Sequence, residues 1–139
     1  MKAGPWLLDT GFLVALMNER DPAHDSCLAV WKDVRGPFIT TEGLLVETGH
    51  LLRRHEGGLG RAWELLRSVQ VVVVPPAPYR IERCLELMSR WADVPMDYVD
   101  ASLVGLAEET GVLQVLTLDR RGFDAYRVGT RRFRRLPDS

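Results

Sequence analysis

Four consecutive valines, Val71 to Val74, are closed by Pro75-Pro76. β-Branched side chains favour a strand, and proline cannot continue a paired one, so the run is a strand of only a few residues. Three other apolar runs are as short: Trp6-Leu7-Leu8, Phe38 to Thr41, and Gln114 to Leu118. Between them the apolar residues recur at helical spacing. Helices are expected over Gly11–Glu19, Asp21–Val34, Thr41–His55, Arg61–Val69, Pro78–Asp93 and Asp97–Gly111. The second has a start signal, Asp21 as N-cap with Pro22 at the first helical position, and keeps Cys27, Leu28, Trp31 and Val34 in register. The fifth is expected to bury Ile81, Leu85, Met88 and Trp91 or Ala92. A fifth strand is expected at Ala125–Val128, followed by an arginine-rich tail. Short apolar strands alternating with amphipathic helices specify an α/β fold whose parallel sheet is covered on both faces.

The bulk numbers agree with one such unit. The 139 residues suit a single domain spanning 1–139, and 46% hydrophobic against 27% charged residues is an ordinary balance. No apolar run approaches the roughly 18 residues of a membrane span. Lys2 is the only charge before Asp9, which makes a poor signal peptide, so a cytoplasmic protein without membrane association is expected. Cys27 and Cys84 fall among apolar neighbours and read as buried free thiols, with a disulfide the lesser alternative.

The net charge of −1 makes no case for nucleic acid, but the charge is uneven. From Arg120 onward seven arginines face only Asp124 and Asp138, and Arg53, Arg54, His55 and Arg61 form a second cluster. Lys2 and Lys32 are the only lysines among 18 basic residues. Arginine suits phosphate contacts.

Leu7 to Gly11 reads Leu-Leu-Asp-Thr-Gly, the signature by which aspartic proteases present a catalytic aspartate. Those enzymes are nearly all-β, and a chain with about six helical segments does not fit them. A different role comes from where the acids fall. Ligands of open parallel sheets bind at the carboxyl ends of the strands. Asp9 ends the first strand and Asp119 the fourth, although either alone could be just the first loop residue. Glu47 lies within a helix three residues after Leu44 and four before Leu51, on or beside the apolar stripe. It could also reach solvent there or pair with Arg53 or Arg54. Asp100 precedes Leu103 and Val104 on the inward side of its helix. With Asp97 as N-cap it also stands at N3, where an acid satisfies free N–H groups.

Four carboxylates from four segments can therefore meet at one pocket, where like charges repel and raise one another's pKa. A divalent cation resolves the conflict, and an all-oxygen set suits Mg²⁺ or Mn²⁺. His24, His50 and His55 are scattered and offer no zinc alternative. An acidic metal pocket beside arginines points to phosphate chemistry. A signalling receiver domain also carries acids at strand ends but needs a lysine at a late strand end, where this chain has none. A phosphatase with a nucleophilic Asp9 would want a second aspartate at position 11, which is Gly11.

The segments LLDTGFLVAL, ITTEGLLVETGHLL, DYVDASLVGLAEETG and VLTLDRRGF, in this order, resemble the PIN-domain nucleases, and most of all the VapC-type toxins of bacterial toxin–antitoxin pairs. The resemblance runs from Leu7 to about Phe133. It implies a three-layer α/β/α sandwich with a central five-stranded parallel sheet. It also implies an endoribonuclease dependent on Mg²⁺ or Mn²⁺ that leaves a 5′-phosphate and a 3′-hydroxyl. Asp9, Glu47, Asp100 and Asp119 would be its catalytic acids and metal ligands, with Asp9 and Asp100 holding the principal ion. Thr10 and Thr117 would support them by hydrogen bonds, and Arg120 and Arg121 could hold the RNA backbone or be solvated surface residues. Expected partners are RNA, a small VapB-like antitoxin if the protein is a toxin, and a second copy in a homodimer. A housekeeping RNA-processing nuclease, and a non-catalytic scaffold that binds RNA or a partner, are the alternatives.

Overall fold

The structure, a computed structural model, describes residues 1–138. Its elements run β1 Lys2–Ala3, β2 Trp6–Leu8, α1 Thr10–Met17, α2 His24–Asp33, β3 Val34–Arg35, β4 Phe38–Thr41, α3 Glu42–Leu51 and α4 Gly58–Ser68. They continue with β5 Val72–Val74, α5 Pro78–Arg90, α6 Tyr98–Thr110, β6 Gln114–Leu116, α7 Arg120–Ala125, β7 Arg127–Val128, β8 Arg131–Arg132 and β9 Arg134–Leu136. Five strands form one sheet in the order β5-β4-β2-β6-β9, and every pairing in it is parallel. Parallel neighbours need crossovers, and the intervening helices supply them. They cover the sheet with two cores. Trp6, Leu8, Phe12 and Leu44 belong to one, and Leu7, Leu103, Val104 and Val115 to the other. Trp6, Leu7 and Leu8 are all fully buried, as a central strand with both faces covered requires. The three-layer sandwich with a five-stranded parallel sheet stands as expected. Among the described residues no helix is long and apolar enough to cross a membrane.

Three expectations need correction. The fifth parallel strand is β9, inside the arginine-rich tail, and Ala125–Val128 is not that strand. Val128 instead pairs with Arg131 in a small antiparallel hairpin. Arg134 and Arg135 disguise β9 as a polar tail. Leu136 is its buried anchor, and the Arg135 guanidinium grips Asp124 with donor–acceptor distances of 2.7 and 3.0 Å. The second helix begins at His24 and not beside Asp21. Asp21 caps a turn instead, accepting from the Ala23 N–H at 2.9 Å. The third correction concerns α5, whose buried face is Cys84 and Leu87, leaving Ile81 39% and Leu85 58% exposed.

Both cysteines are free and buried, as read. The Val71–Val74 run forms the sheet edge, with Val72 half exposed. The two edge strands therefore make opposite predictions. Leu136→Ala in β9 should cost about 2–5 kcal/mol of stability by urea denaturation, because it empties a filled core position. Val72→Ala in β5 should cost less than about 1 kcal/mol, although valine looks the more strand-like residue.

Candidate functional site

The site begins with strand register. Leu8 of β2 lies opposite Leu116 of β6, so the next residues, Asp9 and Thr117, emerge side by side at the carboxyl edge. The Asp9 N–H donates to the Leu116 carbonyl at 2.9 Å, and the Thr40 hydroxyl donates to the Leu8 carbonyl at 2.8 Å. The backbone carrying Asp9 is thus held from both neighbouring strands.

The Asp9 side chain is equally fixed. Oδ1 accepts the Thr10 N–H at 2.8 Å, and Oδ2 accepts the Thr117 hydroxyl at 2.7 Å. The same Thr117 oxygen accepts the Asp119 N–H at 3.0 Å. Thr117 therefore links one acid's carboxylate to the other's main chain. Thr10 does less than expected of a supporting residue: its N–H serves Asp9, but its buried hydroxyl has no partner among the described residues.

Three of the four acids occupy helix starts. Asp9 is the N-cap of α1. Asp119 is the N-cap of α7, and its Oδ1 accepts the Gly122 N–H at 2.9 Å. Asp97 and Asp100 form a reciprocal capping box on α6. The Asp100 N–H donates to Asp97 at 2.8 Å, and the Asp97 N–H donates to Asp100 at 3.2 Å. Asp100 does the structural job foreseen for N3 and still faces the other acids. Helix N-termini carry positive partial charge, which offsets some of the repulsion among them.

Some of it remains. Burial pushes the Asp9 carboxyl up to about 6 despite the hydrogen bonds from Thr117 and Thr10, and the charges of Asp119 and Glu47 push in the same direction. Burial, followed by the charges of Asp9 and Asp97, holds Asp100 well above the usual carboxylate range. These mutual effects put Asp9, Glu47, Asp100 and Asp119 in one electrostatic neighbourhood. Glu47 stands beside the buried stripe of α3 rather than on it, because Leu44 and Thr48 are the buried positions and Glu47 is half-buried. It forms no ion pair with Arg53 or Arg54, and Arg53 binds the His50 carbonyl instead.

Among the described residues no three acidic, histidine or cysteine side chains already converge as a metal cage. Each aspartate is partly turned toward the helix start it caps. The donor set nevertheless fits a hard, hydrated cation. Mg²⁺ keeps several of its waters and needs only one or two direct carboxylates. A carboxylate oxygen with one hydrogen bond retains acceptor capacity. An excess of repelling, buried carboxylates is the environment that a divalent charge stabilises.

Behind the acids stands an aromatic wall that sequence reading did not find. Tyr126 packs edge-on against Trp91 and Phe123, and Phe123 against Phe133, with ring centroids 5.2–5.6 Å apart. The Tyr126 hydroxyl donates to the Pro95 carbonyl at 3.1 Å. Burial, followed by the charges of Asp100, Asp119, Asp97 and Asp9, pushes the pKa of the Tyr126 hydroxyl upward, so the Tyr126 end of the wall borders the acids. Arg120 and Arg121 are exposed at the start of α7 and enter no ion pair among the described residues.

Known proteins resemble this chain in sequence and in fold. The model of the PIN domain family matches residues 6–129. Ribonuclease VapC26 of Mycobacterium tuberculosis is 30% identical over 145 aligned positions, spanning 94% of this chain and 99% of its own length. Among solved structures, the M. tuberculosis toxin VapC20, described as cleaving the sarcin-ricin loop, superposes with a TM-score of 0.76. The identity is 22%, and the match covers 88% of this chain and 96% of VapC20. VapBC2 from Rickettsia felis, solved bound to a DNA fragment from its promoter, gives a TM-score of 0.55 at 12% identity, covering 82% and 86%. At those two identities the likeness is one of fold.

The raised carboxyls make a prediction about pH. Unfolded Asp9 ionises near 3.8, whereas the native group keeps its proton until about 6. Across that window the native state binds more protons, so its stability falls as pH rises. Asp100 carries the loss further upward. In EDTA, wild type should lose on the order of 3 kcal/mol from Asp9 between pH 4 and 7.5. Asp9→Asn should lose less over the same range, as urea denaturation would show; identical pH slopes for the two proteins would refute the buried charge conflict.

Proposed function

Because the chain belongs to the PIN-domain family, with VapC-type ribonucleases its relatives, we propose that it is a divalent-metal-dependent endoribonuclease acting as the toxin of a toxin–antitoxin pair. The observation that carries this reading is the mutual repulsion of buried Asp9 and Asp100, with Asp119 and Glu47 adding to it, at the carboxyl edge of a parallel sheet. Asp9 and Asp100 would hold the principal Mg²⁺ or Mn²⁺, and Glu47 and Asp119 would complete the acidic set. Once bound, such a cation supplies positive charge to the phosphodiester and lowers the pKa of an attacking water.

The protein's own residues do the rest. Thr117 holds Asp9 in a fixed orientation through its hydroxyl, as a hydrogen-bond partner behind a metal ligand does. Thr10 holds it through its N–H. Glu47 and Asp119 orient the attacking water and accept its proton; as the water oxygen bonds to phosphorus the P–O3′ bond breaks, and the departing 3′ oxygen takes up a proton from solvent, leaving a 5′-phosphate and a 3′-hydroxyl. Arg120 and Arg121 engage the RNA backbone. Two cations in the first turn of a helix oppose its dipole, and a phosphate bound there would reconcile the two.

Two partners besides RNA belong to this reading, and the setting is the cytoplasm. One is a small VapB-like antitoxin, in keeping with the VapBC complex among the fold's neighbours. The other is a second copy of the chain. Val46 and Tyr79, 72% and 59% exposed, line an open groove of about 780 Å³ formed largely by α3, α5 and α6, and α5 also exposes Ile81 and Leu85, at 39% and 58%. An apolar surface of that kind is suited to a homodimer interface.

RNA cleavage should require Mg²⁺ or Mn²⁺, stop in EDTA, and fall by at least ~10²-fold in Asp9→Asn and in Asp100→Asn, because each removes a charge the cation needs. Undiminished cutting by either variant would mean that the acid cluster is not the active site. Expression should arrest growth, and a small protein encoded beside the gene should relieve the arrest. Active enzyme that is harmless to its host would favour the housekeeping alternative. For the dimer, Leu85→Glu should shift light scattering from twice the chain mass to the chain mass.

A further inference from the structure

Gly122 is the third residue of α7 and is buried. Its N–H donates to Oδ1 of Asp119 at 2.9 Å. The other carboxylate oxygen, Oδ2, occupies space that a Cβ at position 122 would need, and such a Cβ would also stand 2.8 Å from Cε2 of Tyr126. Backbone conformation gives no reason for glycine here, because Gly122 is not among the glycines with positive φ. Inside a helix glycine is destabilising relative to alanine. The advantage must therefore lie in the space that the missing side chain leaves.

One of the two neighbours that fill this space can move, and the other is tied down. Tyr126 is held by its hydroxyl bond to Pro95 and by its packing against Trp91 and Phe123. The Asp119 main chain is held by Thr117, but its carboxylate can rotate. A methyl group at 122 would displace that carboxylate. We propose that Gly122 is a positioning residue: by lacking a side chain it seats the Asp119 carboxylate against the start of α7 and fixes its place relative to Asp9 and Asp100. The consequence for metal binding rests on the nuclease reading above; the seating itself does not.

The test is a double-mutant cycle on the full chain with Gly122→Ala, Asp119→Ala and the double variant. Mn²⁺ binding is measured by calorimetry and stability by urea denaturation. Gly122→Ala should weaken Mn²⁺ binding by ~10-fold or more in the wild-type background, the size of effect seen when a supporting contact to a ligand is lost. It should weaken it no further once Asp119 is alanine. No change in the wild-type background, or the same change in both, overturns the proposal. If Gly122→Ala does not fold, Asp119→Ala should restore folding by removing the overlapping carboxylate. Failure of that rescue places the conflict at Tyr126 and overturns the proposal as well. Should wild type neither bind Mn²⁺ nor cut RNA, the nuclease reading fails, and the stability cycle alone decides the seating: relief by Asp119→Ala supports it, and its absence refutes it.

Discussion

The pairing of Leu8 with Leu116 sets the geometry of the site. It puts Asp9 and Thr117 next to one another where β2 and β6 end. The Thr117 hydroxyl then closes on Asp9 at 2.7 Å and holds the Asp119 main chain with the same oxygen. A slip of one residue would exchange the faces of the strand and turn Leu7 and Leu8 toward the wrong cores. Leu7 and Leu8 are fully buried in different clusters, so such a slip is strongly disfavoured. Core packing thereby fixes the position of a polar site to within one hydrogen bond, without any residue of the site contributing to the core.

Much of this was legible in the sequence because it depends on local pattern. Short apolar runs broken by helices gave the parallel sheet, and acids directly after two of those runs marked its carboxyl edge. The spacing put Asp100 on the buried side of its helix and Glu47 on or beside an apolar stripe, and the structure has Asp100 buried and Glu47 beside the stripe. What was not legible depends on contacts between distant segments. β9 is masked because Arg135 is satisfied by Asp124, eleven residues earlier, and only Leu136 shows its strand character. On α5 the apolar residues Ile81 and Leu85 look like a core face, but the face that packs is set by Cys84 and Leu87. Periodicity reports that a helix is apolar on a side; it does not report whether that side meets its own core or another surface. The aromatic wall also needed the fold, since Trp91 at the end of α5 meets Tyr126 at the end of α7; the overlap at Gly122 is local to α7 but shows only in the placed side chains of Asp119 and Tyr126.

The site is held in a state that its own charges oppose. Burial and mutual repulsion disfavour ionised Asp9 and Asp100, yet ionised carboxylates are what a cation needs. Two features keep them in place. The first is the gathering of helix starts, whose N–H groups take one oxygen from each of Asp9, Asp100 and Asp119. The second is Tyr126, whose ring lies beside the Asp119 carboxylate across the space at Gly122. Its hydroxyl is committed to Pro95, so the ring borders the acids without donating to them.

This division of labour explains why a folded chain tolerates the conflict. N–H groups at helix starts need acceptors in any fold, and acids meet that need whether or not a metal is bound. Capping therefore stabilises the same carboxylates that repel one another, and it does so through main-chain geometry that the sheet already fixes. Capping uses one oxygen of Asp100 and one of Asp119, which leaves the second oxygen of each free of a hydrogen bond. Asp9 differs, since both its oxygens are engaged, one by main chain and one by Thr117. It is also the most deeply placed of the four acids, 6% exposed. An acid fixed at both oxygens cannot swing, so Asp9 is the stationary member of the set. The central strand carries that rigid member, and the half-buried Glu47 of helix α3, which does not cap a helix, is the least constrained of the four.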